Sequence, residues 1–316
     1  MTPRQASAAL LVLAGVAVVE WVCAARAYRA ELDPAAWARA AEALAALPPG
    51  EPVLLGTPWL DPSARQHLPA LRSGSSIAPP DLYGLPRFHV LGLASAKRSG
   101  AWSSELEHDL GELPAPRLLA TDELGPLRLY HYEQPAAAEV VSDWLAEPAS
   151  LQLRDDRGAC RLSSRTWSCK QARIGLQTLE IDYRPRRCLA IDLDDGRTLE
   201  ISRPRTRLGT VLRGHLGFAD FNARLRNDAP ALLELLVDDI IIGRWTLTDN
   251  QGWAAFAAPT TPGTHDVRLR LTTLLGGTWT EQGYSPQPRR SACLELRALS
   301  ETRSEARSEA GSEAPR

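Results

Sequence analysis

The chain opens on an apolar run. Residues 6–19 carry no charge, Glu20 interrupts, and residues 21–25 continue apolar until Arg26. Residues 6–25 together have about the length that crosses roughly 30 Å of hydrocarbon. Trp21 and Tyr28 suit the interfacial belt, and Arg26 with Arg29 mark a water boundary. The pattern predicts a membrane helix with the bulk of the chain outside. A cleaved signal peptide is the alternative, because residues 25–27 form a small-x-small site ending at Ala27.

A helical period follows. Asp33-Pro34 pairs a capping residue with a proline that a first helical turn tolerates. Trp37, Ala40, Ala41, Leu44 and Leu47 then recur at helical spacing until Pro48-Pro49-Gly50 stops them. Residues 53–56 read as a short buried strand and Asp61-Pro62 as a second helix start. Further strands are expected at 88–93, 117–121 and 127–132. Alternating helix and strand predicts a small α/β layer with strands at least partly parallel. No G-x-G-x-x-G or G-x-x-x-x-G-K follows the first strand, so the layer brings no phosphate-cradling loop.

Beyond Gln134 the helical period disappears. Residues 136–150, with an alanine run and Pro148, read as a connector. Strands are then expected at residues 159–162, 174–183, 188–192, 198–202, 210–216, 222–226, 232–237, 240–245, 254–257, 266–272 and 292–299. Short strands with turns every roughly eight to twelve residues predict a β-sandwich. Residues 300–316 repeat Ser-Glu-Ala-Arg-like units with no apolar face and are expected to be disordered. The expected fold is therefore α+β in two domains. An N-terminal membrane or signal segment (1–29) precedes a small α/β domain (30–135) and the connector (136–150). An antiparallel jelly-roll sandwich (151–299) and the tail complete it.

Composition narrows the function classes. A hydrophobic fraction of 44% with 23% charged residues excludes wholesale disorder. Lys and Arg total 36 against 38 Asp and Glu, a net charge of −2 that argues against a nucleic-acid partner. Of five cysteines, Cys23 lies in the apolar run, leaving an even set of four. Cys160 and Cys169 are symmetric about Ser164-Arg165, so a hairpin turning there sets them opposite each other in a close, non-hydrogen-bonded pair. Four cysteines permit three pairings and the sequence alone does not choose among them; with that hairpin pair formed, Cys188 and Cys293 would tie the early part of the sandwich to its last strand. Zinc is the weaker alternative, for no C-x-x-C unit occurs. Two disulfides imply an oxidising compartment, in keeping with an inner-membrane protein facing the periplasm or exterior.

The β half resembles jelly-roll modules of the galactose-binding and carbohydrate-binding type. The resemblance runs from Leu212-Arg213-Gly214-His215 through Gly252-Trp253 to Pro262-Gly263-Thr264-His265-Asp266-Val267. It implies a sandwich and, by analogy, a glycan ligand. Around Pro49-Gly50-Glu51-Pro52-Val53 the first domain is similar to extracytoplasmic parts of dolichyl-phosphate-mannose mannosyltransferase-type proteins. The chain lacks their acidic catalytic loop, so this second likeness implies an envelope-glycan setting and no transferase activity.

Candidate chemistry is sparse, and no catalytic residue, cofactor or metal site is predicted. Asp192, Asp194 and Asp195 before Gly196 offer too few ligands for calcium and suit a hairpin tip. Glu105, Glu107, His108, Asp109 and Glu112 would serve an enzyme as acid and base, or simply form a solvated helix face. His89 and His131 alternate with apolar neighbours, as packed histidines do. The expected ligand residues are Trp279, Tyr284, Trp253, Arg213 and His215, because sugars stack on aromatic rings and are oriented by fixed polar groups. Non-catalytic binding of glycan or another envelope component is the expected function. A glycan hydrolase, a glycosyltransferase accessory and a pure protein scaffold are the alternatives.

Overall fold

The computed structural model describes residues 15–24, 34–56, 60–71, 80–94, 110–164, 166–181, 184–194, 196–219, 230–274, 277–280, 283–286 and 289–300. The expected strand at 222–226, the carboxylates Glu105, Glu107 and Asp109, Asp195 and the tail beyond Ser300 lie outside them. Residues 15–24 are helical, with Val16, Val18, Val19 and Trp21 exposed. No helix among the described residues is long and apolar enough to cross a membrane.

In the N-terminal α/β layer, which we call the first domain, helix α1 (Pro34–Ala45) buries Ala36, Trp37, Ala40 and Leu44, the stripe its spacing predicts. Helix α2 (Asp61–His67) begins at the expected place. Asp61 there does not cap; it lies in the first turn and pairs with Arg65 at 2.9 Å, one helical turn on. The two helices meet where Trp37 stacks on His67. They cover one face of a four-stranded sheet ordered β1-β2-β4-β3, made of β1 (Val53–Leu55), β2 (Arg87–Leu93), β3 (Arg117–Glu123) and β4 (Leu127–Glu133). Only β1 and β2 run parallel.

The region expected as a connector carries a strand of the sandwich. β5 (Glu139–Asp143) pairs with the last strand, β20 (Arg289–Ser300), and a 3-10 turn at Pro148–Ser150 follows. Alanine and proline around it mask the short run Val140-Val141, whose pairing partner lies far along the chain.

One sheet of the sandwich runs β16-β13-β20-β11-β10-β9-β8, the other β15-β14-β17-β12-β6-β7. The central members are β10 (Ala172–Ile181), β11 (Arg184–Asp194), β12 (Thr198–Leu208), β13 (Val211–Phe218), β14 (Ala231–Val237), β15 (Ile240–Leu247), β16 (Ala254–Pro259) and β17 (Gly263–Thr273). The edges add β6 (Gln152–Asp155), β7 (Gly158–Ala159), β8 (Arg161–Ser163) and β9 (Thr166–Ser168). From β11 to β17 the described strands cross between the sheets at every step except the β14–β15 hairpin, and β20 returns to the first sheet, the winding of a jelly roll. Leu199 and Ile201 of β12, Leu233 and Leu235 of β14, Leu269 and Leu271 of β17, and Leu294 and Leu296 of β20 meet in the core.

Both disulfides are present. Cys160–Cys169 closes the β8–β9 hairpin with Cα atoms 4.4 Å apart, the close approach of a non-hydrogen-bonded pair. Cys188–Cys293 joins β11 to β20 and is fully buried beside Ile181 and Trp253.

Gly214 marks a close approach within the sheet. A Cβ there would strike the Phe256 ring and come within 2.5 Å of the Glu295 carbonyl oxygen, which the β13–β20 ladder holds in place. Gly214→Ala should therefore lower stability by about 1–3 kcal/mol, the cost of overpacking a filled core. Thermal unfolding of the variant checks this, and an unchanged melting temperature would show that the sheet opens freely.

Candidate functional site

The outer face of β13 and β20 does not meet water. On β13, Leu212 and Leu216 point into the core, which turns Arg213 and His215 outward; on β20 the same alternation turns out Cys293, Glu295 and Arg297. Residues Pro80–Tyr83 of the first domain lie over this face. Asp81, 1% exposed, accepts a 2.6 Å hydrogen bond on Oδ2 from Arg213 Nε and a 2.7 Å bond on Oδ1 from Arg297 Nη2. The Tyr83 backbone N–H also donates to Oδ1, and the Arg213 guanidinium lies 3.8 Å over the Tyr83 ring. His215 Nδ1 stands 2.6 Å from Glu295 Oε1, and Arg297 Nε donates to Glu295 Oε2.

Trp253 completes the contact. It is 2% exposed, stacks on His215 with ring centroids 5.2 Å apart, and donates its indole N–H to the Pro80 carbonyl at 2.8 Å. Arg186 donates to the same carbonyl. Burial alone would push the Asp81 pKa up, but Arg297, His215 and Arg213 around it hold the carboxyl well below the usual carboxylate range. Burial pulls in the opposite direction on Arg297, and Asp81 and Glu295 override it, holding the guanidinium above its ordinary value. Asp143, across the ladder from Arg297, has its pKa raised by burial.

Three of the five expected ligand residues are thus committed within the molecule. Arg213, His215 and Trp253 were expected to face a ligand; they face the first domain instead. The physical reason is that Asp81 and the Pro80 carbonyl supply the acceptors that a ligand would otherwise bring. No spacing in the sequence marks Asp81 as their partner, since 132 residues separate it from Arg213.

The other two residues lie on a separate element. Residues 276–283 were expected as an exposed loop. The structure makes most of this stretch a two-stranded hairpin of its own, β18 (Gly277–Thr280) with β19 (Gly283–Pro286), in which Trp279 is in register with Tyr284. Threonines flanking a tryptophan favour extended backbone, and this preference outweighs the glycines. The side chains of both aromatics lie outside the described residues.

A second polar row crosses the first domain. His89 on β2 and His131 on β4 are cross-strand partners with rings 4.8 Å apart, edge to face. Glu51 lies 2.8 Å from His89 Nε2, and Asp122 lies 3.1 Å from His131 Nε2. Burial holds the His89 pKa below its usual value, against the pull of Glu51. A recess of ≈ 240 Å³ opens beside Glu51, lined also by Pro52, Gly84, Leu85 and Arg87. The alternation around His89 and His131 announced packed histidines, and nothing in it announced the carboxylates that partner them. Among the described residues no group of three or more His, Cys, Asp and Glu is disposed to hold a metal ion. Asp192 accepts from the Ser291 hydroxyl rather than joining Asp194 in a loop.

No protein-family model matches the chain, and no curated protein matches it in sequence. Among solved structures it is similar to the CBM51-2 and INT domains of Clostridium perfringens ZmpB in complex with GlcNAc (10% identity, TM-score 0.30, covering 59% of this chain and 38% of that one). It is also similar to a β-1,3-glucan binding CBM6 from Bacillus halodurans (13%, 0.25, 40% and 85%) and to the carbohydrate-binding module CBM36 in complex with calcium and xylotriose (12%, 0.21, 40% and 92%). The chain spans 38% and 41% of the length of the first two similar structures. The mannosyltransferase likeness of residues 49–53 has no counterpart among these structures. The sandwich itself stands on the sheet order and core described above.

Proposed function

We propose that this protein is a membrane-anchored component of the cell envelope that binds glycan without catalysis, through the β18–β19 hairpin. The observation that carries the reading is the register of Trp279 with Tyr284 on a hairpin that belongs to neither sandwich sheet. Directly opposed aromatic positions on a hairpin are cross-strand neighbours, a spacing that suits stacking of a pyranose ring. The anchor reading is supported by the apolar run of residues 6–25 and by the exposed valines and Trp21 in its helical part. Two disulfides fit an oxidising compartment. Arg213, His215 and Trp253 take no part, because their partners are internal.

Trp279→Ala and Tyr284→Ala should each weaken glycan binding by about 1–3 kcal/mol, the range for bases stacked on aromatic side chains. Both should leave thermal unfolding nearly unchanged. Glycan-array binding of the purified full chain, followed by titration of the preferred sugar, measures both. An array without binding by the parent protein, or variants that bind as the parent does, would end the proposal.

A further inference from the structure

β3 is the least occupied strand of the first domain. All seven residues of Arg117–Glu123 are exposed, including Leu118 at 50% and Leu119 at 46%. Among the described residues its one strand partner is β4, so its far edge carries no ladder. Such an edge is a template for another strand, and proteins normally blunt it with lysine, proline, a bulge or a covering element. β3 has one bulge against β4, between Leu118 and Ala120, and two exposed leucines stand at it with no covering element among the described residues.

Charge is ordered along this edge. Arg117 begins the strand, and Asp122 and Glu123 end it. Ion pairs to Glu133 and Arg128 on β4 hold Arg117 and Glu123 in position along the edge. Antiparallel pairing of two copies of β3 about Ala120 sets Arg117 of each copy against Glu123 of the other, while Leu118 and Leu119 fall inside those charged ends. Parallel pairing would put like charges side by side, which destabilises a ladder. We propose that the protein forms a two-fold dimer through antiparallel pairing of β3 with the β3 of a second copy, making the two four-stranded sheets continuous. The contact is isologous, as a closed dimer requires.

The test uses the full chain in detergent, with Cys23→Ser to remove the free thiol. In that background Ala120→Cys should cross-link to itself under mild oxidation, since directly opposed residues bring Cβ atoms to about 4.5–5.5 Å. Arg117→Glu or Glu123→Arg alone should weaken the dimer by about tenfold or more, because each reverses two ion pairs across the axis. The combined variant Arg117→Glu/Glu123→Arg, made together with Glu133→Arg and Arg128→Glu so that the pairs within each copy are kept, should restore it. Sedimentation gives the affinities and a non-reducing gel the cross-link. A monomeric parent protein overturns the proposal. So does a dimer that Ala120→Cys fails to link and the charge reversals fail to weaken, because that dimer is held elsewhere.

Discussion

Asp81→Asn should destabilise the protein by about 3–5 kcal/mol at neutral pH, the cost of stranding buried charge by removing one partner. The substitution keeps the shape of the side chain. It leaves Arg297, 5% exposed, without its strongest neutralising contact and removes the acceptor for Arg213. Because Asp81 belongs to the first domain and both arginines to the sandwich, the loss should appear as uncoupling, with calorimetry resolving two transitions in place of one.

The pH dependence has a defined sign. The Asp81 pKa is lowered in the folded state. Its contribution is therefore present above the ordinary carboxylate value of about 4 and is lost as pH falls through the lower folded value. Asp143 works the other way: its raised pKa means that ionisation opposes folding above the ordinary value. The gap in stability between parent and Asp81→Asn should hold steady from neutral pH to about 4 and narrow below that. Denaturant unfolding across this range measures the gap. A gap that closes between pH 7 and 5 would mean that Asp81 is not the anion the two arginines hold.

The second large effect concerns the disulfides. Replacing Cys188 and Cys293 together with alanine should cost nearly 5 kcal/mol, and replacing Cys160 and Cys169 about 3, on the chain-entropy estimate. The first bridge links residues 105 apart in sequence and the second residues 9 apart, so the first removes more freedom from the unfolded chain. Location adds to the difference. Cys188–Cys293 sits under Trp253 beside the charged contact, whereas Cys160–Cys169 staples an edge hairpin. Denaturant midpoints of the two double variants compare them directly; equal losses would place the stabilisation in local geometry rather than loop closure.

Two strands show how far the sequence could be read. β17 runs Val267-Arg268-Leu269-Arg270-Leu271 and β20 runs Leu294-Glu295-Leu296-Arg297-Ala298, so each alternates apolar with charged positions. Period 2 assigns the apolar face of both to the core, and both faces are there. The charged faces diverge. Arg270 is 35% exposed at the side chain and sits between Glu200 and Glu234 at the surface. Glu295 and Arg297, at 0% and 6%, are sealed beneath Pro80–Tyr83. The pattern reports which side of a strand avoids water and says nothing of what lies over the other side.

The same limit separates the rest of what the sequence determined from what the tertiary structure decided. Local periodicity and turn chemistry determined the first helix, the α/β layer, most of the longer sandwich strands and the hairpin that brings Cys160 to Cys169. These depend on neighbours a few residues apart, and the chain states them directly. Periodicity and turn chemistry did not announce the short strands at Gln152–Asp155 and Thr166–Ser168. The tertiary structure decided that residues 139–143 form a strand, that Asp81 neutralises Arg213 and Arg297, and that Trp253 is closed off by a carbonyl of the other domain. Each is a pairing across tens to hundreds of residues, where a polar side chain suits water or a buried counter-charge equally well. Only the docking of one domain on the other chooses between them, by removing the water.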